Sequence, residues 1–194
     1  LFSENRPQWL IADIAIMNSG GVTVPLFTTY SDSDYEYIIN DCGPKVCIVS
    51  NKLQYEKIEK FLNDKIKIIS IDAFTNQIEN FSEIFKKTNF TNKSYNDKIK
   101  RNDLACIIYT SGTTGEPKGV MLDYANIQAA LAVNEPETRL EEHDISLAFL
   151  PLSHVFERIW TFNTLFWGAE NTYLKDPARI QKGLTDTQPK VTVT

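Results

Sequence analysis

The sequence has few cysteines and histidines. Its 194 residues include three cysteines and two histidines. The cysteines lie in or beside apolar segments, at Cys42, Cys47 and Cys106. An odd number of cysteines without metal-ligand spacing predicts buried, reduced thiols in an intracellular protein.

The sequence also lacks a hydrophobic run long enough to span a membrane. The most apolar long stretch, residues 155–169, is interrupted by Glu157, Arg158 and Asn163. It is too short and too polar to cross a bilayer. The chain begins at Leu1 without a basic segment followed by an apolar one, so no signal peptide is predicted.

Positive charge is in deficit. The chain has 20 Lys and Arg against 25 Asp and Glu, a formal net charge of −5. Nucleic-acid-binding domains usually carry a basic face, so general nucleic-acid binding is not expected. Any site for phosphate must therefore be local. Apolar residues are not depleted, and the length suits one domain with a core of ordinary size.

Glycine is scarce too, yet it is concentrated in residues 109–122, which read Tyr-Thr-Ser-Gly-Thr-Thr-Gly-Glu-Pro-Lys-Gly-Val-Met-Leu. Glycines let a backbone turn through positive φ and approach a ligand closely. Successive N–H groups then form a concavity that binds anions, while hydroxyls donate to phosphate and lysine adds charge. The segment predicts a phosphate-binding loop, with candidate residues Thr110, Ser111, Gly112, Thr113, Thr114, Gly115 and Lys118.

The flanks of this loop distinguish it from a Walker A loop. Residues 104–109 and 120–122 are short apolar runs typical of strands. A Walker A lysine is followed by Ser or Thr and a helix, whereas Gly119 and Val120 follow Lys118 here. The alternative is a flexible surface turn, although an ordinary hairpin needs only about one glycine.

Helix and strand patterns alternate along the chain, which favours an α/β fold with a mostly parallel sheet. Asn5, Ser31, Asp123 and Ser153 are predicted helix N-caps. Predicted helices cover residues 5–20, 31–43, 53–62, 123–133, 153–167 and 177–185. Predicted strands cover residues 22–27, 45–50, 66–71, 104–109, 120–122, 145–150, 171–174 and 191–194. Residues 1–87 form one part, 88–101 a polar, mobile insertion, and 102–194 a second part.

Two motifs resemble one known family. Residues 109–122 closely resemble the signature phosphate loop of the acyl-adenylate-forming enzymes: acyl-CoA synthetases, luciferases and peptide-synthetase adenylation domains. Residues 150–158, Leu-Pro-Leu-Ser-His-Val-Phe-Glu-Arg, resemble the next signature, in the form typical of eukaryotic-type long-chain fatty-acid–CoA ligases. The resemblance covers essentially the whole chain, 1–194. It implies a fragment of the large N-terminal AMP-binding domain, without the later motifs or the C-terminal domain.

The resemblance implies a role for each part of the loop. Residues 110–115 and Lys118 would bind the phosphates of ATP, and Thr113 or Thr114 would help to hold Mg²⁺. Lys118 would either contact phosphate or hold the mobile loop in place. The implied partners are a long-chain fatty acid, ATP and coenzyme A, with no nucleic acid.

His154 is the candidate catalytic residue of the second motif. By position alone, a histidine at a strand-to-helix junction is more often a cap or a core residue. The resemblance instead implies that His154 positions the substrate carboxylate or the acyl adenylate, with Phe156 and Arg158 also binding substrate. Phe156, Trp160 and Phe162 are candidates for the wall of an acyl tunnel or for the helix core. Glu157 and Arg158 would pair or face the ligand, and His143 would be solvated.

The implied function is ATP-dependent activation of a long-chain fatty acid to an acyl adenylate and then to acyl-CoA. Two alternatives stay open: an adenylating enzyme for a short acid, an amino acid or a luciferin, and a non-catalytic nucleotide- or fatty-acid-binding module. The resemblance implies a cytoplasmic location or the cytosolic face of a membrane such as the endoplasmic reticulum, with any anchor outside this sequence. We expect the isolated 194-residue chain to have no ligase activity.

Overall fold

The structure, a computed structural model, describes residues 1–87, 98–110, 115–138 and 140–192, and the side chains of residues 134–138 lie outside that description. The predicted insertion therefore falls largely outside the described residues. In chain order the elements are α1 (Pro7–Asn18), α2 (Asp32–Cys42), β1 (Val46–Val49), α3 (Lys52–Ile58), β2 (Lys67–Ser70), β3 (Glu79–Asn80), α4 (Phe81–Lys87), β4 (Leu104–Thr110), β5 (Lys118–Asp123), α5 (Tyr124–Thr138), β6 (Ile145–Ala148), α6 (Val155–Phe166), β7 (Glu170–Tyr173) and α7 (Ile180–Thr187). Short 3₁₀ turns cover Glu59–Phe61 and Pro177–Arg179.

The strands pair mostly in parallel, which confirms the predicted α/β class. Strands β1, β2 and β3 are parallel neighbours, and β6 pairs in parallel with β7. Strands β4 and β5 are antiparallel, because a single loop joins them directly. Phe2 bridges in parallel to both Leu26 and Val49, and Thr23 bridges to Cys106. These bridges connect β1 to β4 through the N-terminal residues.

The predicted strand at residues 22–27 is wrong. The segment forms only isolated bridges, at Thr23 and Leu26. The Thr23 N–H donates to the carbonyl oxygen of Ala105 (3.1 Å), and the Ile107 N–H donates to the carbonyl oxygen of Thr23 (3.0 Å). Pro25 follows and has no N–H to continue this ladder, so regular pairing stops.

Two of the four predicted N-caps are confirmed. Ser31 and Asp34 form a reciprocal capping box at the start of α2. The Asp123 carboxylate accepts from the Asn126 N–H (2.7 Å) at the start of α5. The other two are wrong: Asn5 does not cap α1, because its amide binds a distant loop, and His154 rather than the buried Ser153 caps α6.

Helix α1 is buried on one side only. Trp9 and Ala12 are almost fully buried, whereas Ile11 is 46% exposed. Met17 at the end of α1 packs with Ala105 of β4 and Phe162 of α6 in one apolar cluster. This cluster holds α6 against the strand that leads into the predicted phosphate loop.

The three cysteines are confirmed as free thiols. Cys47 and Cys106 are buried and Cys42 is half-buried. Burial raises the pKa of each thiol above its ordinary value, so all three are protonated at neutral pH.

Within the ranges given above, no helix has both the length and the apolarity to cross a membrane.

Candidate active site

The predicted phosphate loop joins the ends of two antiparallel strands. Thr110 is the last residue of β4 and lies opposite Lys118, the first residue of β5, so residues 111–117 form the loop between them. Residues 111–114, with their predicted phosphate and Mg²⁺ contacts, lie outside the described part of the chain. Those roles stay predictions, and the hairpin shows where the segment is anchored.

Two glycines of the segment are required for different physical reasons. Gly115 has φ +101°, a conformation that L-residues rarely adopt, and no atom of the described residues lies within 4 Å of the position that a Cβ would take. Gly119 is crowded instead: a Cβ would lie 2.8 Å from Ile107 Cγ2 and 3.2 Å from Tyr109 Cζ. Glycine is therefore required at position 115 because of the positive φ angle, and at position 119 because close packing leaves no room for a Cβ.

Thr110 and Lys118 are paired across the hairpin and therefore lie on one face of it. Alternate residues of a strand share a face, so Thr110 lies on the same side of β4 as Cys106. The Cys106 thiol interacts with Arg158 of α6. Thr110 and Lys118 are both exposed. The loop therefore begins and ends with a hydroxyl and an ammonium group that are open to a ligand on that side.

His154 stands at the start of α6. Its backbone is extended (φ −91°, ψ 140°), and its Nδ1 accepts from the Phe156 N–H (3.3 Å). This bond satisfies one of the free N–H groups of the first turn. The side chain is exposed, so the capping bond leaves the other edge of the imidazole open. A capping position, one of the two interpretations offered by position alone, is thus compatible with contact to a ligand.

Two aromatic residues link the end of β4 to His154. The Tyr30 hydroxyl donates to the carbonyl oxygen of Tyr109 (2.9 Å), 79 residues away in sequence. The Phe27 ring lies 5.1 Å from the Tyr30 ring and 6.4 Å from the imidazole of His154, between centroids. Burial, with the nearby Asp34 carboxylate, raises the pKa of Tyr30 to about 12. The hydroxyl therefore stays protonated and can donate at neutral pH.

Sequence reasoning missed Phe27 and Tyr30. They lie in the segment between α1 and α2, for which no site role was predicted, and both partners are far away along the chain, so the folded arrangement identifies them.

The candidate acyl-tunnel residues occupy different environments. Phe156 is 52% exposed and is available to a ligand. Trp160 is half-buried and its Nε1 donates to Ser146 Oγ (2.8 Å). Phe162 is buried, with its ring centroid 5.7 Å from the guanidinium of Arg158. The placement favours the core interpretation for Phe162 and leaves Phe156 as the accessible aromatic residue.

Arg158 forms a buried ion pair that the sequence did not predict. Its Nε and Nη2 donate to the two carboxylate oxygens of Asp13 at 2.7 and 2.6 Å. The side chains are 2% and 0% exposed, respectively. This pair joins α6 to α1, and the placement favours a structural role for Arg158 over the predicted contact with substrate. A carboxylate in the otherwise apolar run of α1 was the available signal.

Glu157 is also fully buried, and pairing with Arg158, one of the two alternatives that the sequence left open, is not seen because Arg158 pairs with Asp13. The Glu157 Oε2 accepts from the Leu150 N–H (3.1 Å), and its Oε1 has no hydrogen-bond partner in the described part of the chain. Burial raises the pKa of Glu157 to about 7, although backbone hydrogen bonds from Leu150 and Phe149 act in the opposite direction. Glu157 in turn contributes to the raised pKa of Tyr173, after burial as the main cause.

Glu157 should make folding stability depend on pH. Below pH 4.5 the carboxyl is protonated in folded and unfolded chains alike, so its stabilising contribution is fully present. As pH rises to about 7 the unfolded chain loses the proton first, and stability falls by roughly 3 kcal/mol. Glu157→Gln should remove this decline, as measured by thermal unfolding at pH 5 and pH 8. An unchanged decline in the variant would show that the carboxyl titrates normally.

The chain is similar to known proteins along its whole length. The sequence matches the family model described as AMP-binding enzyme across residues 1–194. Long-chain-fatty-acid–CoA ligase 5 of Rattus norvegicus is 32% identical over 178 residues, covering 82% of this chain and 26% of that protein. Fatty acyl-CoA synthetase A of Dictyostelium discoideum is 33% identical over 171 residues, covering 81% of this chain and 26% of that protein.

The fold is shared with solved structures. A natural red-emitting luciferase from Phrixothrix hirtus superposes with a TM-score of 0.84 at 24% identity, covering 99% of this chain and 39% of that chain. This chain spans about a quarter of the length of the curated relatives given above. The family model covers every residue of the chain, including both signature segments. The chain belongs to the AMP-binding enzyme family.

Proposed function

We propose that this chain is part of a long-chain fatty-acid–CoA ligase and carries its ATP phosphate loop together with part of its acyl site. The observation that supports this most is the link through Tyr30 and Phe27 between the phosphate-loop hairpin and His154. Ligands of open α/β sheets bind beyond the carboxyl ends of the strands, where both segments begin. The names of the relatives and the form of residues 150–158 favour long-chain acids.

The first step forms an acyl adenylate. A carboxylate oxygen of the fatty acid attacks the α-phosphorus of ATP, an acyl–phosphate bond forms, and the bond to pyrophosphate breaks. The loop holds the β- and γ-phosphates in line and offsets the charge that grows on the leaving group. The acid is already ionised at neutral pH and needs no base. His154 therefore positions the carboxylate or the adenylate.

In the second step, the sulfur of coenzyme A attacks the acyl carbonyl carbon. A thioester forms, AMP leaves, and the thiol proton passes to solvent. Thr113 or Thr114 would help to hold Mg²⁺, which would share the charge of the leaving pyrophosphate in the first step. This chain would contribute the phosphate loop, with glycine at the positions that require it and with the Thr110 hydroxyl and the Lys118 ammonium group at its two ends.

The full set of activities belongs to the whole protein, because this chain spans about a quarter of its curated relatives. We propose that the isolated chain forms no adenylate, and that the full-length protein works in the cytoplasm or on the cytosolic face of a membrane. Peripheral membrane association would depend on segments outside residues 1–194.

Fatty-acid-dependent exchange of labelled pyrophosphate into ATP tests this function. The full-length protein is assayed with acids from acetate to stearate, beside a Thr114→Ala variant. We expect exchange to peak at long chains and to fall roughly tenfold or more in the variant, because one hydroxyl donor to the phosphates is lost. A peak at short acids would leave the family assignment intact and would identify short acids, rather than long-chain acids, as the substrates. ATP binding without exchange for any acid would instead indicate a non-catalytic binding module.

A further inference from the structure

Two buried side chains, Asn5 and Glu157, hold the loop that carries His154. We propose that they are positioning residues, which fix residues 149–154 so that His154 faces the acyl site. This inference rests on the proposed function, because it assigns His154 a ligand to meet. Sequence analysis predicted Asn5 as a helix cap and offered two roles for Glu157, pairing with Arg158 or facing the ligand. A positioning role is neither of these.

Asn5 binds the loop from outside α6. Its Nδ2 donates to the carbonyl oxygens of Leu150 (2.7 Å) and Ala148 (3.3 Å), and its Oδ1 accepts from the Leu152 N–H (2.9 Å). All three contacts span more than 140 residues of sequence. Asn5 is 8% exposed, so water competes little for these groups.

Glu157 binds the same loop from within α6. Its Oε2 accepts from the Leu150 N–H (3.1 Å), and the side chain is fully buried. Leu150 is therefore held through both its N–H and its carbonyl oxygen by two different side chains. Backbone polar groups that are shielded from water need such partners, and at the half-buried Leu150 two side chains supply them.

The loop transmits this restraint directly to His154. The His154 N–H donates to the carbonyl oxygen of Pro151 (2.9 Å), so the backbone of His154 is tied to the restrained segment. Leu152 is 1% exposed and packs with Trp9 and Ile48, which fixes the middle of the loop. The imidazole is thus placed by its backbone and by its capping bond, and the two buried side chains determine where that backbone lies.

The experiment uses the full-length protein with four variants. Asn5→Asp keeps the shape but removes both N–H donors and sets a carboxylate oxygen against the Leu150 carbonyl. Glu157→Gln keeps an acceptor for the Leu150 N–H, whereas Glu157→Leu removes it. Asn102→Asp, in an exposed turn, makes the same chemical change away from the loop. The readouts are the apparent KM values for acid and for ATP in pyrophosphate exchange, and amide deuterium uptake of residues 149–154.

We expect Asn5→Asp and Glu157→Leu to raise the KM for the acid roughly tenfold with little change in the KM for ATP, and to speed deuterium uptake. Glu157→Gln and Asn102→Asp should resemble the wild type. The proposal is overturned if the acid KM is unchanged in folded Asn5→Asp and Glu157→Leu, or if both KM values rise together. If Asn5→Asp does not fold, the Glu157→Gln and Glu157→Leu pair decides the question.

Failure of the proposed function gives a different result from failure of this inference. A wild-type protein that binds ATP and exchanges no pyrophosphate with any acid would contradict the proposed function, and with it the acyl-site role of His154. Wild-type exchange with unaltered variants would contradict the positioning role alone.

Discussion

Replacing Arg158 by alanine is expected to destabilise the fold by about 3–5 kcal/mol, because it leaves the carboxylate of Asp13 buried without a counter-charge. Asp13 is 0% exposed and receives two hydrogen bonds from Arg158. The guanidinium also lies 6.0 Å from the ring of Trp9, so its loss opens space in the core between α1 and α6. Thermal or urea unfolding of the full-length protein measures the effect on the transition that includes this domain.

An exposed pair in the same chain provides the control. The Arg6 guanidinium donates to both carboxylate oxygens of Asp72, but the two side chains are 20% and 48% exposed, respectively. Arg6→Ala should therefore lower stability by no more than about 1 kcal/mol. Equal losses for Arg6→Ala and Arg158→Ala would contradict the assignment of Arg158 to a buried pair.

A double substitution separates packing from substrate binding. Arg158→Met with Asp13→Leu removes both charges and should recover most of the stability lost in Arg158→Ala, since apolar pairs often replace buried ion pairs without loss. If Arg158 is structural, the rescued protein should keep its KM for the acid. A stable double variant with a strongly raised KM for the acid would instead support a substrate-binding role for Arg158.

Gly115→Ala is expected to lower pyrophosphate exchange by roughly 5- to 150-fold, the equivalent of about 1–3 kcal/mol of backbone strain in the loop. Gly115 has φ +101°, and an added methyl group would clash with none of the residues that the structure describes. The loss would arise because the loop shifts toward conformations that alanine tolerates, which misplaces its N–H groups. Initial exchange rates at saturating ATP measure it.

Gly20→Ala is a closely matched control for this strain. Gly20 also has positive φ, +76°, and none of the atoms that the structure describes lies within 4 Å of the position that a Cβ would take. It follows α1, at the opposite end of β4 from the loop, because Thr23 pairs near the start of that strand. Gly20→Ala should lower stability without lowering exchange in the folded protein. Loss of exchange in both variants, or in neither, would contradict a specific role for the loop backbone.

Local patterns predicted much of this fold because local physics determines them. The capping box at Ser31 and the left-handed Gly43 defined α2, and apolar runs defined β1, β2 and β4. Predictions of N-caps failed where a side chain suited to a local cap binds a residue that is distant in sequence. Asn5 has the chemistry of an N-cap, but its side-chain amide binds the backbone of Leu150 and Leu152 instead.

The candidate site was predictable only in part for a related reason. The loop segment and His154 are contiguous motifs, so the sequence displays them. The residues that bring them together, Phe27 and Tyr30, act through contacts between irregular segments that no periodicity marks. The Asp13–Arg158 pair joins two helices far apart in sequence, and each charge by itself gives no indication of its partner.

Direct detection of the acyl adenylate tests the central claim most simply. The full-length protein is incubated with ATP, Mg²⁺ and palmitate without coenzyme A, and the products are identified by mass spectrometry. The proposed function predicts acyl adenylate and pyrophosphate in equal amounts, near one per protein molecule, and conversion to acyl-CoA and AMP once coenzyme A is added. Formation of ADP and phosphate, or no adenylate with any acid despite bound ATP, would contradict it.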